Sequence, residues 1–221
     1  MTVDLFADDI VLIVLANNTV DKDPARRSHH GAGKAGKMQF DLDGTYGKIL
    51  QELQGESRPQ LKLSNVAWND LAALFRQFVR EQNEENLLKV LCILNNCQRS
   101  SSILLFTEGL LDLLEEESFR KKRDLLIFSL AALGKHTVPL YQRNGDRLPS
   151  RLIVALRKLL VHPQPEVLEW SLRTIEEIGG QGMALKGDIE KVSFGFFYFT
   201  NPHLKSAKKI IAGLLKRWSS F

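Results

Sequence analysis

A hydrophobic register that recurs every 39 to 42 residues constrains this chain more than any other feature. Four segments carry it: NLLKVLCILNN from Asn86, DLLIFSLAALGK from Asp124, EVLEWSLRTIEEIGG from Glu166 and HLKSAKKIIAGLL from His203. Laid over one another, they place Leu91, Leu130, Leu172 and Ile211 in one column, at offsets of 39, 42 and 39 residues. Three residues on stand Leu94, Leu133, Ile175 and Leu214, and four residues back stand Leu87, Leu126, Leu168 and Ala207. Apolar residues at that spacing form one stripe of a helix. A stripe repeated at this period belongs to a helical unit too small to bury its own apolar face, so neighbouring units must stack to make a common core.

A second unit recurs between these segments. SSILLFTEGLLDLLEEE from Ser101 has Gly109 four residues before Leu113 and Leu114, and VPLYQRNGDRLPSRLIVALRKLL from Val138 has Gly145 ahead of a longer apolar helix. Short helix, glycine, second helix and long third helix is an order that resembles the armadillo and HEAT repeats, over residues 61–218. The resemblance implies an all-α fold, a short armadillo/HEAT-like α-solenoid of about four repeats. Local signals agree with helices. Trp68, Leu71, Leu74, Phe75 and Phe78 fall at helical spacing behind Ser64 or Asn65 as N-cap. Gly134 and Gly179 stand where left-handed C-terminal caps are expected, and Pro165 and Pro202 where helices begin. The aromatic run Phe194, Phe196, Phe197, Tyr198 and Phe199 reads as closure of the last unit's core, with an exposed docking patch as the alternative.

Residues 1–60 differ from the repeat domain expected over residues 61–221. The stretch DKDPARRSHHGAGKAGK from Asp21 holds no apolar residue larger than alanine, so it cannot offset the entropy of ordering and reads as a flexible linker. Residues 10–15 suit a short strand or a docking segment, and residues 46–53 a helix of about two turns. Pro59 closes the segment, because proline disfavours helix at the residue before it. The apolar run at residues 10–16 is far short of the roughly 20 residues a bilayer requires. It follows Asp4, Asp8 and Asp9 rather than basic residues, which does not suit a signal peptide. Cys92 and Cys97 lie five apart in an apolar helix, where a disulfide would distort the backbone; they read as buried free thiols. The expected compartment is the cytoplasm, with no membrane partner.

Motifs that suggest chemistry are outweighed by their context. GAGKAGK from Gly31 has the spacing of a phosphate-binding loop, but Met38 stands where a hydroxyl would hold Mg²⁺, and no strand precedes it. FDLDGT from Phe40 resembles the first motif of haloacid-dehalogenase-type phosphatases, in which Asp41 would be the nucleophile and Asp43 the acid/base. That family's α/β domain is not expected here, and Asp43-Gly44 reads as a turn. His29 and His30 lack a defined set of co-ligands, and Cys92 and Cys97 have no matching Cys/His cluster. His136, His162 and His203 fall near helix ends. No catalytic set, metal or cofactor is expected.

Charge is polarised along the chain. Residues 81–118 carry eight acidic and two basic side chains, a net of −6, and residues 119–158 carry ten basic and two acidic, a net of +8. The candidate basic patch is Arg120, Lys121, Lys122, Arg123, Arg143, Arg147 and Arg151. Its plainer reading is solvated helix faces and pairing with the glutamates at 115–117. Armadillo proteins that bind extended peptides use the groove lined by their third helices, and import receptors carry there a Trp with an Asn four residues on. The corresponding Trp positions here are Lys89, Phe128, Trp170 and Lys209, and the Asn positions Ile93, Ala132, Thr174 and Gly213, so the clamp ladder is missing.

The expected function is a non-enzymatic scaffold binding a protein or an acidic peptide through Lys89, Phe128, Trp170, Arg173, Thr174 and Lys209, with Trp170 either exposed or core. The alternative is nucleic-acid binding in the manner of the HEAT-like alkylpurine DNA glycosylases, with Glu169 or Asp124 as the only local carboxylates. A third is head-to-tail assembly through the acidic and basic portions.

Overall fold

A computed structural model describes residues 40–55, 59–195 and 198–219. The GAGKAGK loop, His29, His30 and the segment 10–15 lie outside the described residues.

Short polar side chains start several helices. Asp41 accepts from the Gly44 amide at the head of α1 (Leu42–Leu53), Ser64 from Ala67 at α2 (Asn65–Glu81), and Asn83 from Asn86 at α3 (Glu84–Asn96). Such a cap satisfies one of the amides that a helix start leaves unpaired and contributes about 1 kcal/mol. Next come α4 (Leu104–Glu115) and α5 (Arg123–Ala132). Gly134, expected to end a helix, does not. The chain runs on from α5 through a π turn at Leu133–Thr137 into α6 (Val138–Asn144), and the left-handed cap falls at Gly145, φ 72°. Further along lie α7 (Ser150–Leu159) and α8 (Pro165–Ile178), the latter beginning at its proline and ending at Gly179, φ 65°. After α9 (Lys186–Ile189), α10 (Pro202–Trp218) begins at Pro202, with Asn201 accepting from the Leu204 amide.

The helices form two rows. α1, α3, α5, α8 and α10 lie side by side in chain order, each packed on the next. α2, α4 and α7 form the second row, continued by the 3-10 turn Gly179–Leu185 before α9. Each second-row helix packs on the first-row helix that follows it: α2 on α3, α4 on α5, α7 on α8. The described residues are all helix and connection, with a single isolated bridge between Leu61 and Cys97. No helix among them is long and apolar enough to cross a membrane.

The recurring register explains the first row. Its three columns fall on α3, on α5 and the turn after it, on α8 and on α10, and none of their residues is more than 9% exposed. Burying such a side chain contributes about 1.5–3 kcal/mol. The middle of the row is the driest part, with every residue from 125 to 134 buried. A helix apolar on all sides must be covered on all sides. At the other end, α1 starts four residues before the helix expected at 46–53. It buries Ile49 completely and packs on α3, so the packed unit begins upstream of residue 61.

Candidate interaction surfaces

Half of the expected groove residues are spent inside the fold. Phe128 is 2% exposed, Trp170 1% and Thr174 0%, so all three belong to the core. Trp170 is thus a packing residue rather than an exposed recognition residue. Thr174 Oγ1 donates to the Trp170 carbonyl at 2.9 Å. The Arg173 guanidinium covers the Trp170 ring, 5.4 Å from its centroid, and its Nη2 donates to Glu169 Oε1 at 2.6 Å. Lys89 reaches Asp43 and Glu85, both at 2.8 Å. Burial opposes its charge, but these hydrogen bonds win and hold its pKa above the ordinary lysine value. Lys209 is the exposed member of the set. The physical reason is lateral packing: with a first-row neighbour on each side and a second-row helix behind, a large ring gains more from contact than from a solvent-facing position.

The basic patch is likewise largely committed. Arg151 on α7 donates to Glu108, Asp112 and Glu115 of α4 at 2.6–2.8 Å, and the carboxylates raise its pKa further. Lys122 meets Glu84 at 2.5 Å, and Arg120 meets Glu117 at 3.2 Å. Arg123 meets Asp124 at 2.8 Å and Glu166 at 3.7 Å. Arg143 donates to the Pro139 carbonyl, while Lys121 and Arg147 are exposed. The acidic and basic stretches of the sequence therefore face each other within one chain. Three junctions of the first row hold an ion pair, Asp43 with Lys89, Glu84 with Lys122 and Arg123 with Glu166, and the fourth holds the hydrogen bond from His203 to Glu169.

Sequence reasoning missed the most enclosed polar cluster. Glu169, 3% exposed, receives Arg173 and, at 2.7 Å, His203 Nδ1. Burial pushes its pKa up, but the hydrogen bonds from Ser206, Arg173 and His203 outweigh this and keep it below the ordinary carboxylate value. Its oxygens are occupied by structural partners, and Asp124 by Arg123, so neither stands open as a base. The spacing from Glu169 to Arg173, four residues on one helix, was legible in the sequence; His203, 34 residues away, was not. Asp41 of the phosphatase-like segment caps α1, and Asp43, in the first turn of that helix, binds Lys89.

Other polar groups have local roles. His162 accepts at Nδ1 from the Gln164 amide, 3.2 Å, so its proton sits on Nε2, which donates to the Arg120 carbonyl at 2.9 Å. A cleft of about 290 Å³ beside it is lined by Glu117, Arg120, Lys121, His162, Pro163 and Gln164. Cys92 and Cys97 are free and buried, and desolvation pushes both thiols up to about 12. Among the described residues, no group of three or more His, Cys, Asp or Glu is placed to hold a metal ion.

Of the aromatic run, Phe194 packs against the core and Phe199 is 49% exposed; Phe196 and Phe197 lie outside the described residues. Tyr198 carries the ammonium of Lys208 over its ring, 4.0 Å from the centroid. No family model matches this chain, and neither do any curated protein or solved structure.

Proposed function

We propose that this chain is a short α-solenoid of the armadillo/HEAT type, of about four units, acting as a non-enzymatic scaffold that binds another protein. The reading is supported by the recurring register, by the two parallel rows, and by polar groups engaged in holding adjacent helices together. The contact surface we assign is the second row instead of the third-helix groove. One observation carries that assignment. Of the exposed large apolar side chains among the described residues, all but Phe199, namely Val66, Leu104, Leu105, Val154, Val161 and Met183, lie on α2, on α4, on α7 or its following turn, and on the turn that continues the row. Apolar side chains left in water in this way give a partner area to bury. The two buried thiols suit a reducing compartment, and the cytoplasm is the location we assign.

The test is site-specific photo-crosslinking in native extract, with the reactive group placed at Leu105, at Val154 or at Lys89. A discrete protein adduct from the first two positions, lost in a Leu104→Asp, Val161→Asp variant that melts like wild type, is the expected result. Adducts from position 89 alone would return the contact to the first row, and no adduct from any position would remove the scaffold reading.

A further inference from the structure

α10 is the last first-row helix among the described residues, and its exposed side carries charge of one sign. The exposed residues of this helix are Pro202, Lys205, Lys208, Lys209, Ala212, Lys216 and Arg217. Lys205, Lys209, Ala212 and Lys216 step by four, three and four residues, so they share one stripe of the helix. At 1.5 Å per residue that stripe is about 16 Å long. No Asp or Glu occurs anywhere in α10. Elsewhere in the fold several cations are matched to carboxylates on neighbouring helices, among them Lys89, Lys122 and Arg151. Here Arg217 turns back to Glu176, whereas Lys205 and Lys209 pair with no carboxylate among the described residues. Much of the net charge of +4 is thus concentrated at this end.

Aromatic surface lies beside Lys208, the neighbour of Lys209 on the same helix. The turn Tyr198–Thr200 precedes α10 and sets Tyr198 under Lys208. Phe199 stands edge-on to Tyr198, with ring centroids 6.2 Å apart and planes at 82°, and remains 49% exposed. A row of lysines beside an exposed ring has a recognisable chemistry: ammonium groups neutralise successive phosphates, and the ring stacks on an unpaired base.

We propose that this face binds single-stranded nucleic acid, with the phosphates along Lys205 and Lys209 and a base stacked on Phe199. A duplex hides its base faces and would leave the ring unused. An acidic peptide would satisfy the lysines and likewise leave Phe199 without a role. The site lies apart from the apolar side chains of the second row, so its existence does not depend on the protein-binding reading.

The experiment is fluorescence anisotropy with the full chain against a labelled oligothymidylate, a blunt duplex of the same length and polyglutamate. Binding to the single strand should weaken with salt along a log–log slope of about −1.4, the value for two phosphate contacts on a single strand. Lys205→Glu with Lys209→Glu should weaken it by about tenfold or more, with the slope reduced. Phe199→Ala should cost about fivefold or more and leave the slope unchanged. Circular dichroism melting of each variant separates these losses from unfolding. Three results overturn the proposal: no binding at low salt, duplex bound as tightly with Phe199→Ala silent, or polyglutamate competing on equal terms.

Discussion

His136 sits 2% exposed in the π turn after α5, and its Nε2 donates to the Leu94 carbonyl at 2.8 Å while Nδ1 has no hydrogen-bond partner. Desolvation, only partly opposed by that hydrogen bond and reinforced by the charges of Lys135 and Arg99, lowers its pKa to about 4. The unfolded chain takes up the proton near pH 6.5, well before the folded one does. Stability from this residue is therefore complete above that value, falls as the pH drops toward about 4, and levels off below. Near pH 5 the protein should be less stable than near pH 7 by about 2 kcal/mol on account of His136 alone. His136→Gln keeps a donor for the Leu94 carbonyl and should flatten that difference in urea titrations at the two pH values. An equal loss in both proteins would remove His136 as the cause. Sequence position alone placed this histidine near a helix end. Its burial depends on the turn continuing past Gly134, which no local signal announced.

Helix starts were the most legible elements, because a cap is written in one or two residues: Ser64, Pro165 and Pro202 all act as read. Gly134 failed as a stop because tertiary packing of the π turn against its neighbours outweighs the usual preference of glycine for a terminus. Gly109 has a different reason to be glycine. A Cβ there would lie 2.7 Å from Cε1 of Phe75, a fully buried ring packed at 5.5 Å on Phe106. Gly109→Ala gains helix propensity of up to about 1 kcal/mol but must displace that ring, and overpacking of this kind costs about 1–3 kcal/mol. The variant should melt lower than wild type, and Gly109→Ala combined with Phe75→Leu should recover part of the loss. A variant as stable as wild type would show that the ring yields freely.

Over the whole molecule, polarised charge was visible in the sequence and its use was not. Acidic and basic stretches could meet within one chain or between two, and only the three-dimensional arrangement places Arg151 among the carboxylates of α4 and Lys122 beside Glu84. With these charges matched internally, little remains to drive head-to-tail association of opposite portions. The sedimentation coefficient should accordingly be the same at low and high salt, and a species that dissociates as salt rises would restore that association. The groove was misjudged for a related reason. Columns of equivalent residues can be read along the chain, but whether a column faces solvent depends on the helices on either side, and those cover Phe128 and Trp170.

The ion pairs across the first row do not all run in the same direction. Acid precedes base at Asp43–Lys89 and Glu84–Lys122, and base precedes acid at Arg123–Glu166. If α3 were to dock on α8 with α5 left out, Glu84 would be brought toward Glu166, and the misplaced edge would repel. Chains built from look-alike units are prone to joining the wrong neighbours while they fold. A mismatch of that kind discriminates against one wrong neighbour, since like charges would meet where the native junctions set opposite ones.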